Sequence, residues 1–143
     1  MDWQECLRKN ARPINARLTS KDENLIKSLL ESAPLNLDTA KSIVQNEKSY
    51  SSVVVLAYDS LRMLLEALSL QKGYKIYNHE CYTCFLKEVL KLETFAEKFD
   101  PVRIIRNRIN YYGKRIGKDE FDVIYNDILY LIEEINKLLE KNE

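Results

Sequence analysis

Residues 53–70 form the longest apolar segment of the chain, and what they become constrains the rest. Val53, Val54 and Val55 favour strand by propensity. The stretch that follows is rich in Leu, Ala and Met and far longer than a typical strand, so the segment predicts a helix. A helix apolar nearly all round belongs at the centre of a bundle. Gly73 follows it as a natural C-terminal cap. Three glycines and three prolines in 143 residues are too few for an all-β fold with its many tight turns. A chain of this length supports one domain that buries roughly 68–70% of its unfolded surface. The expectation is therefore all-α: an antiparallel up-and-down bundle of four to five main helices with short extra N-terminal helices. A single domain over residues 1–143 would place N-terminal helices in 1–48 and the core helices in 49–142.

Local punctuation divides the remainder. Residues 2–11 suit a short helix stopped before Pro13, because a residue preceding proline disfavours the α region. Ser20 and Glu23 have the spacing of a capping box and predict a helix to about residue 32. Pro34 then separates it from another helix near 38–48. Asn78 is placed to cap a helix over about 79–98. Asp100 and Pro101 read as a fresh start, an N-cap acceptor followed by proline at the first helical position. That helix should end between Gly113 and Gly117. The last should run from Asp119 to about Lys141, roughly 34 Å at 1.5 Å per residue. Its Phe121, Ile124, Ile128, Leu131, Ile135 and Leu138 have the three-four spacing of a bundle seam.

Charge is distributed unevenly. The chain carries 22 basic and 22 acidic residues, so no overall field draws it to nucleic acid. Yet residues 101–118 hold six Lys or Arg and no Asp or Glu. Within 103–113 (RIIRNRINYYG), helical spacing puts Ile105, Ile109 and Tyr112 on one side, with Ile116 in register. Arg103, Arg106, Asn107, Asn110 and Lys114 fall on the other. Guanidinium and amide donors on one face are what an anion site requires. From Asp119 to Asn136 only acidic charges occur, so pairing between adjacent helices is the competing explanation. On the apolar 53–70 segment, Asp59, Arg62 and Glu66 make a narrow charged stripe. Buried charges need partners, and the arginines of 103–108 are the natural candidates. The stripe reads either as an internal ion-pair network or as carboxylates that orient a binding arginine.

Two segments together resemble the HEPN superfamily. Residues 57–79 (AYDSLRMLLEALSLQKGYKIYNH) are similar to its second core helix, the Gly-Tyr-Lys turn and the His that begins the next helix. Residues 106–113 (RNRINYYG) resemble its Arg-Asn-x-x-x-His signature. The resemblance covers roughly 50–140. It implies an all-α homodimer that brings two signature helices together across a cleft. It also implies either metal-independent endoribonuclease or toxin activity beside a nucleotidyltransferase partner protein, or nucleotide or RNA binding without cleavage. Arg106 takes the signature Arg position and Asn107 the Asn position, with Glu66 or Asp59 as the supporting carboxylate. The His position is Tyr111. An imidazole near pKa 6.5 suits proton transfer at neutral pH, whereas a phenol near 10 is only about one part in a thousand ionised. Losing one acid–base group typically removes about 10²–10⁴ in rate. The resemblance thus implies a binding protein, with cleavage through Arg106 and Tyr111 as the alternative; pairing of Arg103 to Arg108 with Asp59, Glu66 and the acidic last helix would instead make a purely structural or partner-binding bundle. Gly113 stands where active members carry a tyrosine that some branches modify, so that route is not implied here.

Other constellations are weaker. Cys81, Cys84 and His79 have spacing that invites zinc, but a structural site wants four ligands and only Cys6 remains. The cysteines therefore read as small buried residues and His79 as structural. An odd three cysteines suits a reducing cytoplasm better than a disulfide framework. No metal or cofactor is expected, since the chain lacks a glycine-rich phosphate loop, a Gly-x-Ser-x-Gly motif and metal-spaced carboxylates. No run of 18 uncharged apolar residues exists, so no membrane association through a spanning helix is expected.

Overall fold

A computed structural model describes residues 1–141. The elements run α1 (Trp3–Cys6), β1 (Ala16–Leu18), α2 (Glu23–Ser42), α3 (Tyr50–Gln71), β2 (Tyr74–Ile76), α4 (Glu80–Cys84), α5 (Glu93–Tyr112) and α6 (Lys118–Lys141). The fold is an all-α helical bundle with one small two-stranded sheet. At its centre lies α3, whose Val53, Val54, Ala57, Tyr58, Leu61, Leu65 and Leu68 are shut off from solvent. Helices α2, α5 and α6 pack against it. The seam of α6 is buried as its periodicity predicts, with Leu139 closing the far end and Leu138 half-buried. Ser60 stitches α3 to α2 by donating to the Ala33 carbonyl at 2.7 Å.

Both internal prolines fail to break their helices. Pro34 lies inside α2, which runs unbroken where two helices and a gap were expected. Pro101 lies inside α5. Proline removes one intrahelical hydrogen bond, but Pro101 and Glu97, whose carbonyl loses its donor, both sit on the exposed side, where water substitutes. The true N-cap of α2 is Asp22, which accepts from the Leu25 amide at 3.0 Å, and not Ser20.

The break expected at Asp100 occurs instead at residues 90–92. There α4 passes into a π-helical turn, Phe85–Val89, and Lys91 adopts a left-handed φ of 59°. The Leu92 amide then donates back to the Leu86 carbonyl at 2.8 Å, and α5 starts. No glycine or proline marks that stretch. At its other end α5 stops where expected, on Gly113 in the left-handed region. Tyr112, assigned to the buried side, is 82% exposed because the helix ends there. Ile116 reaches the core from the following loop.

The segment before α2 is tied down twice. Strands β1 and β2 pair antiparallel, with Ala16 opposite Ile76 and Leu18 opposite Tyr74. Cys6 and Cys81 form a disulfide that anchors α1 beside α4. The expectation of reduced cysteines fails here, and so does the compositional argument for a reducing compartment. Two cysteines 75 positions apart offer no sequence cue that folding will join them. Cys84 is buried and free, its thiol pushed up by burial first. Among the described residues no helix is long and apolar enough to cross a membrane.

Candidate anion-binding cleft

A cleft of about 410 Å³ opens where the first half of the chain meets α5. Pro13, Ile14 and Asn15 form one wall, residues 77–80 the floor, and Arg103, Arg106, Asn107 and Tyr111 the opposite wall. The near wall is fixed by a knot of hydrogen bonds around Asn15. Its carbonyl accepts from the amides of Tyr77 at 2.8 Å and Asn78 at 3.1 Å. Its side-chain oxygen accepts from Asn78 Nδ2 at 3.0 Å. Asn78 Oδ1 in turn accepts from the Glu80 amide at 3.0 Å, which sets the start of α4. The strand pair therefore serves the cleft, by holding residues 13–15 against 77–80.

On the α5 wall, spacing of three and four residues puts Arg103, Arg106 and Asn107 on one face, as the sequence predicts, and Tyr111 joins them at the rim. The two arginines are held differently. Arg103 donates through Nε and Nη2 to Asp100 Oδ1, at 3.1 and 2.9 Å. The same oxygen accepts from Thr83 Oγ1 at 2.9 Å. Arg106 has no carboxylate within ion-pair distance among the described residues. Its guanidinium lies over the ring of Tyr58, 5.2 Å from the centroid. Asn110, with its amide oxygen turned to the guanidinium, accepts from Arg106 Nε and Nη2, both at 3.1 Å. A phenol ring and a neutral amide orient a guanidinium without cancelling its charge. Arg106 therefore reaches the cleft preset and positive.

Several predicted site residues fall outside the lining. Asn110 is exposed and acts through Arg106. Lys114, beyond the end of α5, pairs with Glu120 at 3.7 Å. Glu66 makes no ion pair with Arg106. It accepts from Arg62 Nη1 at 2.9 Å and from Lys75 Nζ, so its partners lie on α3 and β2 instead of α5. Asp59 is half-buried and makes no ion pair among the described residues. The arginines of 103–108 thus do not complete the α3 stripe. At that level α3 packs on β2, a contact no helical wheel displays.

His79, expected to be structural, lines the cleft. Its Nδ1 lies 2.9 Å from Tyr58 Oη. The imidazole pKa falls from the usual 6.5 to about 4, first by burial and then by the positive charges of Arg106, Arg62 and Arg103. At neutral pH the ring is therefore uncharged. Tyr58, fully buried and stacked at 6.1 Å on Phe99, has its phenol pushed well up by burial. It serves Arg106 with its face and His79 with its hydroxyl. One signal for it was legible: a tyrosine on a buried helical face needs a partner for its hydroxyl.

Glu80 brings the one carboxylate of the lining and sits 3.9 Å from the N-terminal ammonium. Cys6 and Cys81, joined to each other, are not available as thiolate ligands beside His79. Among the described residues no three His, Cys, Asp or Glu gather as a metal would need. The cleft thus offers cationic and neutral donors and a single, already engaged, acid. No protein-family model, curated protein or solved structure matches this chain.

Proposed function

We propose that the cleft binds the phosphate of a nucleotide or of RNA, and that Arg106 is its principal contact. The observation that carries this reading is a half-buried guanidinium, oriented by Tyr58 and Asn110, that opens on a cleft and has no carboxylate partner among the described residues. Natural proteins seldom leave a partly buried charge unpaired, and a site for an outside anion explains the exception. Arg103 and Asn107 add donors on the same wall, and Tyr111, 72% exposed at the rim, offers a ring for a base to stack on. The HEPN-like pattern of residues 57–79 and 106–113 supports the same reading, and with it a homodimer and a nucleotidyltransferase partner protein. Fluorescence anisotropy with a short RNA, and competition by ATP, tests the proposal. Arg106→Ala is expected to weaken binding about 10–100-fold, the range of charge-assisted hydrogen bonds worth about 1.5–3 kcal/mol. Unchanged affinity in that variant would refute it.

A second reading, slow metal-independent RNA cleavage, is favoured by one specific observation: an imidazole shares the cleft with Arg106. His79, neutral at pH 7, has the protonation state of a general base. Arg106 would stabilise the crowded phosphate, and Tyr111 would be secondary. Cleavage of total RNA by the wild type but not by His79→Ala or Arg106→Ala supports this reading. Intact RNA after prolonged incubation removes it and leaves the binding proposal standing.

A further inference from the structure

His79 and Arg106 approach the cleft from different elements, yet both are bound to one buried phenol. Tyr58 Oη meets His79 Nδ1, and the Tyr58 ring carries the Arg106 guanidinium. The other imidazole nitrogen, Nε2, has no partner among the described residues, and it is not sealed either. Among the described residues no buried side-chain nitrogen or oxygen lacks a hydrogen bond, so Nε2 must be solvent-accessible. His79, a lining residue of the cleft, thus has one nitrogen committed to the core and one open to solvent.

We propose that His79 Nε2 is a direct ligand of the phosphate held in this cleft, and that in mildly acidic solution the imidazole takes up a proton from solvent as the phosphate binds. The inference rests on the anion-binding reading and adds a residue and a proton to it. The charge balance around the ring is the reason. From α3 it faces Arg62, Glu66 and the Tyr58 phenol. From α5 it faces Arg103 and Arg106. On α4 the buried Tyr82 ring lies 5.8 Å away and Glu80 follows directly in sequence. Glu66 is shared by Arg62 and Lys75, so it offsets the cations only in part.

With the cleft empty, burial and three guanidinium groups oppose a fourth positive charge. An oxyanion seated between Arg106 and Nε2 reverses that balance by supplying the missing negative charge. In the neutral ring Tyr58 donates to Nδ1 and Nε2 carries the hydrogen. On protonation Nδ1 gains a hydrogen, the Tyr58 hydroxyl rotates to accept it, and Nε2–H donates to the phosphate. Tyr58 keeps its own proton throughout, because burial pushes its pKa far up.

His79 is the only histidine of the chain, so its imidazole C–H resonances report on it without assignment. The probe is a short 2′-O-methyl oligouridylate, which is not cleaved and whose bases stay neutral over the pH range scanned. In the free protein the resonance should titrate near 4. Saturating probe should move the inflection up to about 6, and affinity should then rise roughly tenfold from pH 7 to pH 5. His79→Gln, checked for folding by circular dichroism, should lose that rise. If the probe binds through Arg106 while the imidazole titration stays put, the inference falls and the anion site survives. A pH dependence that persists in His79→Gln also overturns it. If the probe does not bind at low salt at any pH, both readings fall.

Discussion

Two charge clusters lie close together around the same central helix. In one, Arg62 and Lys75 converge on Glu66, whose side chain is only 10% exposed. Every charge there has a partner within the fold. In the other, Arg103 closes on Asp100 while Arg106, one turn later, rests on a ring and an amide. The first cluster is electrically complete. The second carries one positive charge more than the described residues neutralise, and it faces a cleft. A guanidinium count does not separate structural charge from receptor charge; the identity of the orienting groups does.

The largest expected effect lies in the completed cluster. Glu66→Ala should destabilise the fold by about 3 kcal/mol, since it leaves two partly buried cations facing each other. Urea unfolding measures this, and RNA affinity of the folded fraction should stay within a few-fold of wild type. Arg106→Ala should behave in the opposite way. Its stability change should stay near 1 kcal/mol, the scale of a cation–ring contact, while binding falls as described above. Equal loss of stability in both variants would erase the distinction between the clusters.

An acid titration sharpens it further. His79 has a folded-state pKa below its unfolded 6.5, so the unfolded chain binds its proton more readily. Its contribution to stability is therefore complete above about pH 6.5 and drains away as pH falls toward 4. His79→Gln should flatten that part of the stability–pH curve without ligand. The smallest effect concerns Arg103. Asp100→Asn releases its guanidinium and should raise affinity for a short RNA about two- to five-fold, as one freed charge contributes up to about 1 kcal/mol. No gain, or a loss, would show that Asp100 positions Arg103 for the ligand instead of silencing it.

The α3 and α6 helices were legible because their apolar residues recur at helical period over many turns. The breaks were not. Pro34 and Pro101 are tolerated inside α2 and α5, whereas the real interruption at Lys91 uses a left-handed lysine after a π turn. Three-residue strands are too short for any period to show. In the site, Arg103, Arg106 and Asn107 were legible as one face of one helix, and Tyr111 only through the signature that residues 106–113 resemble. A helical wheel does not show where a cleft ends, so it also included Asn110 and Lys114. Tyr58, His79 and Asn15 come from elsewhere in the sequence, and their meeting with Arg106 is a product of tertiary packing. Tyr111 drew attention as the replacement for a missing histidine, while the imidazole of the cleft came from the start of α4.

The most direct test is the salt dependence of short-RNA affinity for the wild type and for Arg106→Gln. Each phosphate contact on a single strand adds about 0.7 to the slope of log affinity against log salt. Arg106 open to the ligand predicts a slope shallower by about that amount in the variant. Identical slopes would contradict it, and would mean that Arg106 meets no phosphate.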